Sequence, residues 1–113
     1  MNLIDEQNLI CTRFGAPFHE SPEHLKVGVS LNVKDGIFPL NGLRHLPKGD
    51  TTGWYIWAGD YSSAPDFFVP IHIYHLNEWC PQVLKFLGLA PGWRFLMAPN
   101  YLDVWKDNSL VNF

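Results

Sequence analysis

"GWYIWAGDY", residues 53–61, decides how this chain must be layered. On a strand, successive side chains point to opposite faces, so Trp54 and Ile56 share one face while Tyr55 and Trp57 share the other. Both faces are therefore large and apolar. Either the strand is central and covered on both sides, or one of its faces is open and used for binding. The apolar run stops at Gly59-Asp60, which reads as a turn out of the core.

Working outward from it, "LKVGVSLNV" alternates Leu25, Val27, Val29, Leu31 and Val33 with small or polar residues. That period of two predicts a half-buried strand. "SPEHL" before it offers Ser21 as an N-cap and Pro22 at a first helical position, so one helical turn is expected there. "FFVPIHIYH", residues 67–75, is strand-like, and Pro70 cannot donate to a ladder, which places it at an edge or a bulge. "HLNEWCPQVLKFLG", residues 75–88, has an apolar stripe at helical spacing that includes Trp79, Cys80, Val83, Leu84 and Leu87. Gly88 reads as its C-cap, and Pro81 implies a start or kink nearby. "WRFLM" and "YLDVW" read as strands joined by a tight "APN" connection. Residues 1–12 fit a short helix or an edge strand equally. The elements predict an α+β fold. It is a mostly antiparallel sheet with one main helix, about residues 75–88, packed on one face, and a long ordered loop over about residues 34–52.

At 113 residues, with 47% hydrophobic content and no linker or low-complexity block, the chain is expected to form one domain, residues 1–113, with a substantial core. A charged share of 17% and a hydrophobic share this high exclude a disordered chain. The net charge is −3 and the eight basic residues are scattered, which argues against a nucleic-acid partner. Cys11 and Cys80 are far apart and carry no CxxC spacing, which reads as two reduced thiols in a cytoplasmic protein. "MNLIDEQNL" has no basic region followed by an apolar run, so no signal peptide is expected. No apolar stretch approaches the roughly twenty residues of a membrane span, so no membrane partner is expected.

Catalytic chemistry finds little support. There is no G-x-S-x-G elbow, and Ser62-Ser63 has no histidine near it in sequence. Cys80 lies five residues after His75 but falls on the apolar helix stripe, where thiols are inert. His72, His75, Glu78 and Cys80 could be imagined as metal ligands. On a strand, however, His72 and His75 face opposite sides, and no cysteine pair supports them. Asp60 with Asp66, and Asp103 with Asp107, are carboxylate pairs whose simplest reading is turn capping. No glycine-rich phosphate cradle occurs; "GLRHLPKG" matches neither dinucleotide nor P-loop patterns. The residues therefore point to a binding protein without catalytic residues, metal or cofactor. Aromatic residues make up 15% of the chain. Trp and Tyr mixed with acidic residues suit a protein interface. They also suit a carbohydrate or small-ligand platform built on Trp54 or Trp57.

The segments "LNVKDGIFPLNGLRH", "GWYIWAGDY", "DFFVPIHIYHL", "CPQVLKFLGLAPGWRFL" and "DVWKDNSL" cover nearly the whole chain from Gly28. Through them the sequence resembles a family of small bacterial immunity-type proteins, found beside polymorphic or contact-dependent toxins. The resemblance implies neutralisation of one cognate toxin domain by direct binding and occlusion, and it implies no catalytic residues. On such a scaffold specificity belongs in the loops. The expected toxin-binding residues are Asp60, Tyr61 and Asp66, which follow the aromatic strand, and Asp103 and Trp105 in the C-terminal acidic–aromatic segment.

Overall fold

A computed structural model describes residues 2–111. The chain opens with helix α1, Leu3–Phe14. The Asn2 side chain accepts from the Asp5 N–H at 2.9 Å, and Asp5 and Glu6 occupy the positive first turn. Gly15, at φ 71°, ends it with a left-handed cap. The ambiguity over residues 1–12 thus resolves as helix from Leu3 on, the longest helix among the described residues.

Six strands form one sheet: β1 Lys26–Ser30, β2 Leu40–Arg44, β3 Thr51–Ala58, β4 Phe68–His72, β5 Trp93–Ala98 and β6 Tyr101–Lys106. Their order across the sheet is β4-β1-β3-β2-β5-β6. Only β1 and β3 run parallel; every other pair is antiparallel. The α+β class and the mostly antiparallel sheet are as the sequence predicts. The aromatic strand β3 is central, and β4, which contains Pro70, is an edge strand. "WRFLM" and "YLDVW" form the β5–β6 hairpin.

Several expectations change. The loop expected over 34–52 contains β2, which pairs with both β3 and β5 in the middle of the sheet. Its glycine, a poor strand former, is needed there: a Cβ on Gly42 would sit 2.1 Å from the Phe95 ring, which lies across it and stacks on Phe86 at 4.4 Å. The single helix expected at 75–88 is two pieces, α2 Ile73–Trp79 and a 3-10 segment Pro81–Phe86. Proline lacks the N–H that would continue the helix, and it pushes the preceding residue out of the α region. Cys80 accordingly adopts φ −160°, ψ 72°. Gly88 is then no cap but a buried contact, where a Cβ would meet the Phe18 ring at 2.8 Å. The strand expected through Val33 stops at Ser30, and Leu31–Asp35 is a 3-10 segment. The Ser30 hydroxyl bonds the Asn32 side chain, which donates to the Ala58 carbonyl at 2.8 Å. These local bonds offer the backbone an alternative to the ladder. Ser21 caps no helix; its hydroxyl donates to the Leu87 carbonyl at 2.6 Å and accepts from the Trp54 indole at 3.2 Å.

Helices α1 and α2 and the 3-10 segments Leu31–Asp35 and Pro81–Phe86 pack on one face of the sheet. Ile10, Cys11, Ile73, Leu76, Val83 and Phe86 meet Val27, Val29, Leu40, Trp54, Ile56, Phe95 and Val104 there. At the end of β2, Arg44 is 1% exposed and has no carboxylate partner among the described residues. Its guanidinium instead donates to the carbonyls of Thr52, His19, Leu87, Leu89 and Glu20, at 2.8–3.4 Å. Burial pulls its pKa down to about 10, which leaves it cationic at neutral pH. One side chain thus ties the segment after α1 and the 87–89 segment to the sheet.

Candidate functional site

Among the described residues no α-helix lies over the other face of the sheet. Register pairs line up two rows across it. Pro70, Gly28, Tyr55, Leu43, Arg94 and Trp105 form one; Trp57, Asn41, Leu96 and Asp103 form the next. The question raised by the two-sided strand β3 is therefore answered by its own fold on one side only. Trp54 and Ile56 are core, whereas Tyr55 is 39% exposed.

The loop after β3 folds back over part of this face. Tyr61, 60% exposed, sets its ring edge-on to Trp57 at 5.5 Å and tilts against Phe68 at 6.2 Å. Phe67 and Phe68 meet at 4.9 Å, and Phe68 meets Tyr55 at 5.2 Å. Trp57 is left only 5% exposed, and Trp54 only 1%. Neither tryptophan presents a free ring face, so the stacking platform considered for Trp54 or Trp57 is not built. Gly28 makes room for the Tyr55 ring: a Cβ there would lie 2.8 Å from it. His45 adds a fourth wall, edge-on to Tyr55 at 5.6 Å, with Nδ1 donating to the Leu110 carbonyl at 3.3 Å. Leu43, His45, Tyr55, Tyr61 and Phe68 line a cup of about 260 Å³.

On the far side of the face the Arg94 guanidinium lies 5.4 Å from the Trp105 ring centre and bonds Asp107 at 3.2 Å. The Asp107 carboxyl is held below its usual range, chiefly by the Ser109 hydroxyl, then by the Ser109 N–H and Arg94. Arg94 is thereby largely neutralised.

Of the five residues expected from sequence, Tyr61 stands on the cup itself. Asp60 and Asp66 are exposed at the two ends of its loop, and Asp103 is exposed on β6. None of these three carboxylates has an ion pair among the described residues. Trp105 is half-buried beside Arg94. Tyr61 lies over β3 and β4, with Asp60 and Asp66 at the ends of its loop, while Asp103 and Trp105 share the same face on β6. Three strand spacings, about 14 Å, separate β3 from β6. Leu43, His45 and Phe68 went unnoticed in the sequence. The signal for Phe68 was present in the Phe67-Phe68 pair next to the loop; Leu43 and His45 reach the cup only through the pairing of β2 with β3.

The remaining candidates resolve simply. Burial pushes the Cys80 thiol up to about 11 and raises that of Cys11, so neither is a thiolate nucleophile at neutral pH. His72 and His75 pack around Tyr74, and among the described residues no three His, Cys, Asp or Glu are grouped to hold a metal ion. Among those residues, too, no helix is long and apolar enough to cross a membrane.

A family model described as the Imm33-like domain matches residues 6–107. No curated protein and no solved structure matches the chain.

Proposed function

The chain belongs to the Imm33-like domain family, and from that premise we propose that it is an immunity protein that neutralises a cognate toxin by direct binding. It acts as a single binding domain in the cytoplasm rather than as an enzyme. The contact surface in this reading is the open face of the sheet, with Asp60, Tyr61, Asp66, Asp103 and Trp105 among the contacts. The observation that carries it is the asymmetry of the sheet: one face lies under α1 and α2, while the other exposes Tyr55 and Tyr61, with Asp60 and Asp66 in the adjoining loop and Asp103 on β6, none of the three in an ion pair among the described residues. Exposed aromatics ringed by charge are what a protein interface uses for its anchors and its rim. Five strand spacings by a strand length of five or six residues give a flat area of about 24 by 18 Å. Side-chain relief and the 59–67 loop bring this toward the ~800 Å² per partner of a specific complex.

The free charge on the face is acidic, so a basic partner is favoured in encounter and in register. Occlusion of a basic active-site cleft would follow from such docking. The test is co-expression with the toxin domain encoded beside it, followed by survival counts and co-purification. Survival with a stable complex is expected; death of the cells together with failure to co-purify would sink the reading.

A further inference from the structure

The cup on the open face has a chemistry of its own. Three of its five lining side chains, Tyr55, Tyr61 and Phe68, are aromatic rings, and the His45 imidazole is a fourth. They stand at steep angles, 82° between His45 and Tyr55, 74° between Tyr55 and Phe68, and 49° between Tyr61 and Phe68, so they wall a space instead of stacking it shut. No Lys or Arg lines it. Along the chain Asp60 directly precedes Tyr61 and Asp66 lies two residues before Phe68. The cation Arg44, between Leu43 and His45, directs its guanidinium to backbone carbonyls on the helical side of the sheet and not into the cup. Aromatic faces carry negative potential and attract a cation within about 6 Å of a ring centroid. The neighbouring ring centroids are 5.2–6.2 Å apart, so a group seated among them lies within that reach.

We propose that this cup is a cation-binding subsite that receives an arginine side chain presented by the protein partner. An apolar anchor would gain only burial here. A guanidinium gains burial of its stem and the ring quadrupoles, and the exposed Asp60 and Asp66 of the same loop favour the approach of a cation. That the arginine belongs to a toxin rests on the immunity reading above. The preference of the cup for a planar cation does not, and is tested on this protein alone.

The probes are N-acetyl-arginine amide and N-acetyl-citrulline amide, which share a planar shape but differ in charge, the ureido group carrying a carbonyl acceptor in place of one of the guanidinium's NH2 donors. Each is titrated to high millimolar concentration while the aromatic-ring NMR signals are followed. The arginine probe is expected to shift Tyr55, Tyr61, Phe68 and His45 saturably, with the buried Phe95 ring unmoved. Its affinity is expected to exceed that of citrulline by roughly threefold or more. Phe68→Leu keeps the apolar volume and should abolish the difference between the probes. Tyr61→Leu, in an exposed loop, does the same without touching a strand. Equal shifts from the two probes, no shift from either, or a charge preference that survives both substitutions would overturn the proposal. A toxin neutralised normally in that case would leave the immunity reading standing and remove only the cup.

Discussion

Replacing Arg44 with methionine keeps an unbranched stem through the ε position and removes the fork of donors. The carbonyls of His19, Glu20 and Leu89 lose the guanidinium, as does that of Thr52. Leu87 keeps the Ser21 hydroxyl and the Trp54 indole as donors. His19 and Glu20 are exposed residues whose carbonyls can turn to water, whereas Leu89 is 0% and Thr52 1% exposed. Two buried carbonyls deprived of a charged donor cost about 1–3 kcal/mol each. The desolvation of the guanidinium, visible in its lowered pKa, is relieved by the change and offsets part of that. The net expectation is about 3 kcal/mol of destabilisation, or a fall in Tm of roughly 10–20 °C for a chain of this size. Calorimetry or a denaturant titration measures it. Arg44→Lys separates charge from geometry: one ammonium cannot span carbonyls on both sides of the fork, so the lysine variant should lose nearly as much. Arg44 also stands between Leu43 and His45, two walls of the cup, so loosening it should broaden the Tyr55 signal as well. A Tm within about 3 °C of wild type for both variants would refute the claim that this residue fastens the helical layer to the sheet.

Further outcomes follow from the same geometry. Gly42→Ala drives a Cβ into the buried Phe95 ring and should cost roughly 1–3 kcal/mol, while Gly28→Ala displaces the half-exposed Tyr55 ring and should leave the fold close to wild type; paired denaturation curves check the contrast. Both thiols should resist a disulfide reagent at pH 8 in the native protein and react together once the chain is unfolded, since burial raises both pKa values. The lowered pKa of Asp107 contributes stability that is present above the unfolded carboxylate value of 3.8 and is lost as pH falls through its folded pKa. Asp107→Asn should therefore flatten the acid limb of the stability curve.

The sequence carried the signals that act locally. Two-sided aromatic patterning allowed β3 to be central or open on one face, and it is central with Tyr55 exposed; Pro70 allowed an edge or a bulge, and β4 is an edge; the turn at Pro99-Asn100 joined the final hairpin. What escaped was decided by tertiary partners. "LNGLR" has neither alternation nor strand formers enough to announce β2; it becomes a strand because Gly42 admits the Phe95 ring and Arg44 finds its carbonyls. The apolar stripe of residues 75–88 was real, since Leu76, Cys80, Val83 and Leu87 are all buried, but Pro81 divided it into two helical pieces. The candidate site was half legible for the same reason. Tyr61 and its acidic neighbours follow a visible strand, whereas His45 and Leu43 join them only once β2 lies beside β3.

The central claim is that the open face, and not the helical face, holds the partner. Asp60→Lys with Asp66→Lys changes the net charge from −3 to +1 while touching no ion pair. Folding stability should move by no more than about 0.5 kcal/mol. The measurement is the dissociation constant for the toxin domain, taken for wild type, for this double variant, and for Glu20→Lys with Glu23→Lys on the helical side. The account predicts at least a tenfold loss for the 60/66 pair, about 1.4 kcal/mol, and near wild-type binding for the 20/23 pair. The reverse pattern would contradict it.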